Sequence, residues 1–253
     1  MSYPPHTGYN FVDTLHHSLY PAINPTKSEL SQLSKVVLVT GPGRGIGRSI
    51  ALRYAESGVA CIILCSRTAS ELDDVEQAIK KINAHIRVHK FSIDITEEAK
   101  VLAVAEAVKK EEGRLDILVN NAGTGDPWNL IADGVTEDYW RTVTVNFEGP
   151  YLLIHSFLPL MVETAKTTRA IVDVVNISSI GATVATPGAS SYQVSKLAVS
   201  RLTEVVQVEY GSQGVNCVAV HPGGVLTELS KGLPAPLLSC ESITIHFSSP
   251  HSG

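Results

Sequence analysis

Val36-Val37-Leu38-Val39-Thr40-Gly41-Pro42-Gly43-Arg44-Gly45-Ile46-Gly47-Arg48 decides how the rest of the chain reads. Its first five residues are rich in β-branched carbons and predict a buried strand. A glycine cluster follows, and Ser49 to Ser57 then reads as a helix. Strand, glycine turn and helix together make a phosphate-binding context. Glycines let the backbone turn tightly and approach a pyrophosphate closely, and the helix start offers free N–H groups and partial positive charge. The commoner dinucleotide fingerprint, with glycines at relative positions one, three and six, fails at Ile46. Gly41, Gly45 and Gly47 follow G-x-x-x-G-x-G instead, a spacing that by itself fits a simple turn as well.

Outward from this stretch the same alternation continues. Gly58 ends the first helix, and Val59–Cys65 has the length of a buried parallel strand. Ser70–Asn83 reads as a helix with Leu72, Val75, Ile79 and Ile82 at helical spacing, and Ile86–Ile93 as a third strand ending at Asp94. Thr96 is placed to cap a helix with the stripe Val101, Leu102, Ala105 and Val108, closed by Gly113. Leu115–Val119 is a fourth strand, leading into Asn120-Asn121-Ala122-Gly123. A long helical region spans Thr136–Thr164, with a break expected at Gly149-Pro150. Ile171–Ile177 is a fifth strand ending at Ser178-Ser179, Ser190–Tyr210 a helix, and Val215–Val220 a sixth strand ending at His221-Pro222-Gly223-Gly224. Six apolar strands alternating with helices predict an α/β fold, a doubly wound parallel sheet with helices on both faces. Ligands bind such sheets at the strands' carboxyl ends, where every polar cluster named above falls.

Composition bounds the function. At 253 residues the chain suits one α/β domain, and 44% hydrophobic against 18% charged residues is globular. A net charge of -5 argues against nucleic acid as a partner. No apolar run approaches the ~18 residues of a membrane span, and residues 1–30 lack the apolar core of a secretory signal. Cys61 and Cys65, ~13 Å apart along a strand, are too far apart for a disulfide. With Cys217 and Cys240 they read as reduced thiols of a cytoplasmic protein. No metal site is expected: His85 and His89 would lie ~13 Å apart on the predicted strand, with no acidic partner evident. His155 and His221 read as packing or loop residues, and Trp128 and Trp140 as substrate-approach or core residues.

Tyr192 and Lys196, four residues apart on one helix, share a face. Ser179 lies thirteen residues before Tyr192 at the end of the fifth strand, and the loop between them can return it to the helix start. A phenol with a pKa of ~10 is a poor base, but a nearby ammonium and a cationic nicotinamide would both favour the phenolate. A serine hydroxyl can hold a carbonyl or alcohol oxygen beside it. The group suits proton transfer at an oxygen while hydride moves on the neighbouring carbon. A Y-x-x-x-K pair alone is equally a solvated helix face. In order along the chain, however, stand Thr40-Gly41-x-x-x-Gly45-Ile46-Gly47, Asn120-Asn121-Ala122-Gly123, Ser179, Tyr192-x-x-x-Lys196 and Pro222-Gly223-x-Val225-x-Thr227.

Over roughly Lys35–Leu229 this set resembles the short-chain dehydrogenase/reductase family in its compact, single-domain Rossmann form. The resemblance implies Tyr192 as acid/base, Lys196 as the residue that lowers its pKa and holds the nicotinamide ribose, and Ser179 as the substrate-orienting serine. It implies Asn146 as the residue that bends the central helix and positions a proton-relay water. For the cofactor it implies Gly41, Gly45, Ile46 and Gly47 at the pyrophosphate, Asp94 at the adenine, and Asn121, Ala122 and Gly123 as the wall of the adenosine site. Pro222, Gly223, Val225 and Thr227 would face the nicotinamide. An Asp ending the second strand would select NAD(H); here Ser66 and Arg67 stand there, with Arg44 in the glycine turn, so NADP(H) is favoured over NAD(H). The expected function is hydride transfer between NADP(H) and a small-molecule secondary alcohol or ketone. The family also implies a homodimer paired through the Asn146 and Tyr192 helices.

The expected organisation is an extended arm over 1–34, the dinucleotide-binding and catalytic domain over 35–230, and an irregular tail over 231–253. After Thr227 the resemblance fades. Leu226–Leu238 could begin a substrate-covering segment, and the Ser- and His-rich end shows no seventh strand. The alternative expectation is therefore a truncated homologue that binds dinucleotide with little or no catalysis. A Rossmann-type methyltransferase gives no reason for Ser179, Tyr192 and Lys196 together.

Overall fold

The computed structural model describes residues 16, 19–125, 129–225 and 227–230. Its strands are β1 (Val36–Thr40), β2 (Cys61–Ser66), β3 (Arg87–Ser92), β4 (Ile117–Asn120), β5 (Val172–Ile177) and β6 (Val215–Val220). Its helices are α1 (Gly45–Glu56), α2 (Ala69–Ile82), α3 (Glu98–Glu112), α4 (Thr136–Val143), α5 (Gly149–Thr168) and α6 (Ser190–Tyr210). The strands form one parallel sheet in the order β3-β2-β1-β4-β5-β6. The doubly wound α/β expectation is met, and the order reverses between β1 and β4, where such sheets bind ligands.

Strand periodicity divides the core in two. Val36 and Leu38 of β1 point into one layer with Phe157 and Met161 of α5. Val37 and Val39 point into the other with Ile50 and Tyr54 of α1. All five β1 residues are buried, as a central strand covered on both faces requires. The start of the sheet is fixed by Asp116, whose Oδ2 accepts the Val36 N–H at 2.8 Å while Arg114 Nε holds the same carboxylate at 2.9 Å.

Several local expectations are corrected. Helix α1 starts at Gly45 rather than Ser49, because Gly45 and Gly47 lie inside its first turn. Thr96 does not cap α3: its N–H and hydroxyl bond the Asp94 carboxylate, and Glu97 is the N-cap without a side-chain bond. Val104 takes the buried place expected of Leu102, which is 44% exposed. The break in the long helical region is a π-turn over Thr144–Glu148, just before the Gly149-Pro150 pair and containing Asn146, the residue the family resemblance implies as the bend; Pro150 stands in the first turn of α5. Strand β3 is an edge strand with half-exposed residues, not an apolar buried one. In the lead-in, Pro21–Ile23 and Ser28–Leu30 form 3-10 turns, so residues 20–34 are not plainly extended. The expectations for the tail over 231–253 and for a seventh strand lie outside the described residues. Of the expected covering segment, a single 3-10 turn over Glu228–Ser230 is described. Among the described residues no helix is long and apolar enough to cross a membrane.

Candidate active site

The glycine turn leaves β1 in the left-handed region, with Gly41 at φ +62° and Gly45 at φ +55°. A side chain on Gly47 would run into the Gly41 carbonyl and the Asn121 amide, so α1 begins in direct contact with the turn. The turn is stapled to the end of β4. Thr40 Oγ1 accepts the N–H groups of Asn121 and Ala122, each at 3.0 Å. Asn121 Nδ2 donates to the carbonyls of Thr40 at 2.9 Å and Gly41 at 3.1 Å. A Cβ on Gly45 would stand 3.2 Å from Thr227 Cγ2, which brings the segment after β6 over the same turn.

Asn146 carries the arrangement from β4 to α6. It lies fully buried in the π-turn. Its Oδ1 accepts the Thr124 N–H at 2.8 Å, and its Nδ2 donates to the Thr124 carbonyl at 2.9 Å and to Ser195 Oγ at 3.0 Å. A π-turn adds a residue to the turn and changes which face a side chain joins, and here it aims an asparagine at the loop after β4. A Cβ on Gly123 would lie 3.1 Å from Asn146 Oδ1 and 3.6 Å from Lys196 Nζ, so these three expected residues converge.

On α6, Lys196 is buried and its Nζ donates to the Ile177 carbonyl at 2.8 Å, the last carbonyl of β5. Burial lowers its pKa to about 8. The ammonium lies 5.7 Å from the Tyr192 ring centroid. Burial raises the Tyr192 phenol above its ordinary range, and a hydrogen bond from Ser179 acts the other way. The lowered phenol pKa expected from the sequence is thus not found in the protein alone: desolvation of Tyr192 outweighs its neighbours. Ser179 Oγ also accepts the Gly181 N–H at 3.1 Å. Ser178 instead turns into the structure, donating to the Lys196 carbonyl at 3.2 Å and meeting Ser200 Oγ at 3.0 Å.

The adenosine end is looser. Arg44 is exposed. Arg67, its side chain 75% exposed, stands 4.0 Å from an Asp94 carboxylate oxygen. Ser66 Oγ donates weakly to the Thr68 carbonyl at 3.4 Å. Pro222, Gly223 and Val225 follow β6, with Gly223 at φ +88°. Trp128 lies outside the described residues; Trp140 is 60% exposed, which excludes a core role. His155 is exposed and stacks on Tyr151, and His221 is an exposed loop residue after β6.

Sequence reading missed two contributors. Ser195 supports Asn146, and only its place beside Lys196 hinted at this. The Glu71 carboxylate of α2 lies against Gly43, where a side chain on the glycine would meet it. No sequence spacing links the two.

A dinucleotide fits these residues. The N-terminus of α1 has no side-chain cap, so its first N–H groups keep free donors for phosphate oxygens. Lys196 bonds one carbonyl among the described residues, which leaves ammonium protons for ribose hydroxyls.

Comparison with known proteins agrees. The short chain dehydrogenase family profile matches residues 35–237. The chain is 40% identical over 239 residues to the short chain dehydrogenase mpl6 of Monascus purpureus, covering 92% of this chain and 79% of that one. Levodione reductase superposes with a TM-score of 0.72 at 30% identity, covering 77% of this chain and 73% of the other. NAD+-bound xylitol dehydrogenase gives 0.70 at 27% identity, covering 76% and 71%. Matched by the family profile through nearly all of its described core, the chain belongs to the short chain dehydrogenase family, as an oxidoreductase of CH–OH and C=O groups that works with a nicotinamide dinucleotide.

Proposed function

We propose that this chain reduces a small-molecule ketone, or oxidises the matching secondary alcohol, with NADP(H) as cofactor and Tyr192 as acid/base. One observation carries the reading: Tyr192, its Ser179 partner and the buried Lys196 meet at the carboxyl end of the sheet, beside the glycine turn. The bound dinucleotide supplies the hydride or accepts it. Ser179 Oγ holds the substrate oxygen against the Tyr192 hydroxyl. In reduction, the Tyr192 O–H bond breaks and its proton passes to that oxygen as the carbonyl carbon gains hydride. Burial, which raises the phenol, keeps this proton in place until negative charge develops on the substrate. Lys196 holds the ribose and steadies the phenolate that remains, and Asn146 fixes the helix and positions a relay water.

NADP(H) is favoured by the two exposed arginines, Arg44 and Arg67, which suit a 2′-phosphate. Asp94 and Glu71 temper that preference without removing it. A homodimer through the Asn146 and Tyr192 helices is supported by exposed apolar residues on α5 and α6, among them Tyr151, Val194, Leu197 and Val208.

With NADPH and a panel of ketones, followed by nicotinamide absorbance, Tyr192→Phe loses about 10²–10⁴-fold in kcat while still binding NADPH. Cofactor binding with no turnover by the unaltered chain would instead identify a binding protein. Arg67→Asp combined with Arg44→Ala moves the ratio of kcat/KM for NADPH over NADH towards NADH; an unchanged ratio refutes the cofactor assignment.

Burial of Lys196 has a signature in stability. Its pKa falls from 10.5 to about 8 on folding, so between these values the unfolded chain binds more protons and stability rises with pH. Relative to Lys196→Met, the unaltered chain gains about 2 kcal/mol between pH 7 and pH 9.5 in urea titrations. A pH-independent difference contradicts a buried, desolvated ammonium.

A further inference from the structure

The far end of the sheet holds a second group of chemically active side chains. Cys61, the first residue of β2, is fully buried. It lies ~16 Å along the strand from Ser66 at the ligand end. Its Sγ, one His89 ring nitrogen and one Glu112 carboxylate oxygen all fall within 4.8 Å of one another. No acidic partner for His89 is evident in its own strand, but α3 supplies two. Nε2 meets Glu112 Oε1 at 2.8 Å and Nδ1 meets Glu111 Oε2 at 3.1 Å.

A neutral imidazole carries one N–H. With a carboxylate oxygen at each nitrogen, that one N–H serves one contact, and a cation at the other nitrogen would serve the second. If Nδ1–H donates to Glu111, the ring is oriented as metal-bound histidines usually are, with a carboxylate on the outer nitrogen. Nε2 then faces Glu112 and Cys61 with a lone pair. Arg87 grips the Glu112 carboxylate through Nε–Oε1 at 3.0 Å and Nη2–Oε2 at 2.5 Å, which leaves one lone pair on Oε1, the atom that faces His89 Nε2.

We propose that Cys61 Sγ, His89 Nε2 and Glu112 Oε1 form a three-ligand site for a thiophilic divalent cation of the zinc type, with Glu111 orienting the histidine. Thiolate, imidazole and carboxylate are zinc's usual donors. At bond lengths of about 2.0–2.3 Å, a tetrahedral ion separates its ligands by about 3.3–3.6 Å, which opens the 2.8 Å His89–Glu112 contact slightly and lies inside the 4.8 Å span of the three ligand atoms. Charge balances: a thiolate and two carboxylates stand against Arg87 and the divalent ion. On binding, the Cys61 S–H bond breaks, a sulfur–metal bond forms and the proton leaves to solvent. The ion reaches the site past His89 and Glu111, whose side chains are 24% and 52% exposed. It would clip edge strand β3 and the end of α3 to β2, apart from the catalytic end.

The test is titration of the reduced, chelator-treated full chain with cobalt(II), whose thiolate complexes absorb in the near ultraviolet. One equivalent is expected to give a thiolate-to-cobalt charge-transfer band with the visible absorption of four-coordinate cobalt. The band disappears in Cys61→Ser and in His89→Gln, with unaltered circular dichroism in the latter, where the side chain is half-exposed. Glu111→Gln keeps the band with affinity weakened about 10–100-fold. No band in the unaltered chain, or a band that survives His89→Gln, overturns the site.

Discussion

Everything at the catalytic end depends on one buried ammonium. Lys196 is almost without solvent contact and bonds the Ile177 carbonyl. A desolvated charge that bonds one neutral acceptor among the described residues is costly, and its lowered pKa records that cost. The surroundings are built to hold it nonetheless. Strand β5 ends at the carbonyl it needs. Ser178 bonds the Lys196 carbonyl and Ser200, which fixes that turn of α6. Asn146 fixes the preceding turn through Ser195 and reaches the loop after β4. Asn121 and Thr40 join that loop to the glycine turn. Hydrogen bonds at Asn121 and at Asn146, joined by the backbone of residues 121–124, therefore tie the phosphate-binding end to the catalytic helix.

These bonds cross the point where the strand order reverses. A parallel sheet places every strand's carboxyl end on one side, so segments as distant in sequence as Gly41–Gly47, Asn121–Gly123, Tyr192–Lys196 and Thr227 meet there. Thr227 over Gly45 and Gly123 beside Lys196 are the clearest cases. At the opposite end the same topology gathers Cys61, His89 and Glu112. There His89 comes from an edge strand and Glu112 from a helix terminus, while Cys61 is buried at the start of β2.

Much of this was legible in the sequence because it rests on short-range periodicity. The spans of α6 and β6 match the expectation residue for residue, and the motifs at the strand ends point to the site. What was not legible depends on contacts between distant elements. Periodicity does not show the π-turn at Asn146, whose side chain bonds Thr124 and Ser195 in distant elements; only the family resemblance points to a bend there. Thr96 looked like a cap until Asp94 claimed its hydroxyl. Leu102 and Val104 both fit a helical stripe, and only the neighbouring layer decides which is buried. The phenol's raised pKa is likewise a property of burial, whereas the sequence showed only a lysine four residues away. His89 lacked a carboxylate in its own strand because both of its partners come from α3.

The central claim, that this edge of the sheet carries hydride between a nicotinamide and a carbonyl carbon, is tested most directly by isotope. NADPH deuterated at C4 is incubated with the protein and a ketone that it turns over, and the alcohol is examined by mass spectrometry and NMR. Deuterium is expected on the carbinol carbon from only one of the two C4-labelled epimers of NADPH, with the hydroxyl proton drawn from solvent. An alcohol without deuterium at that carbon from either epimer, or label delivered equally from both, would contradict the claim.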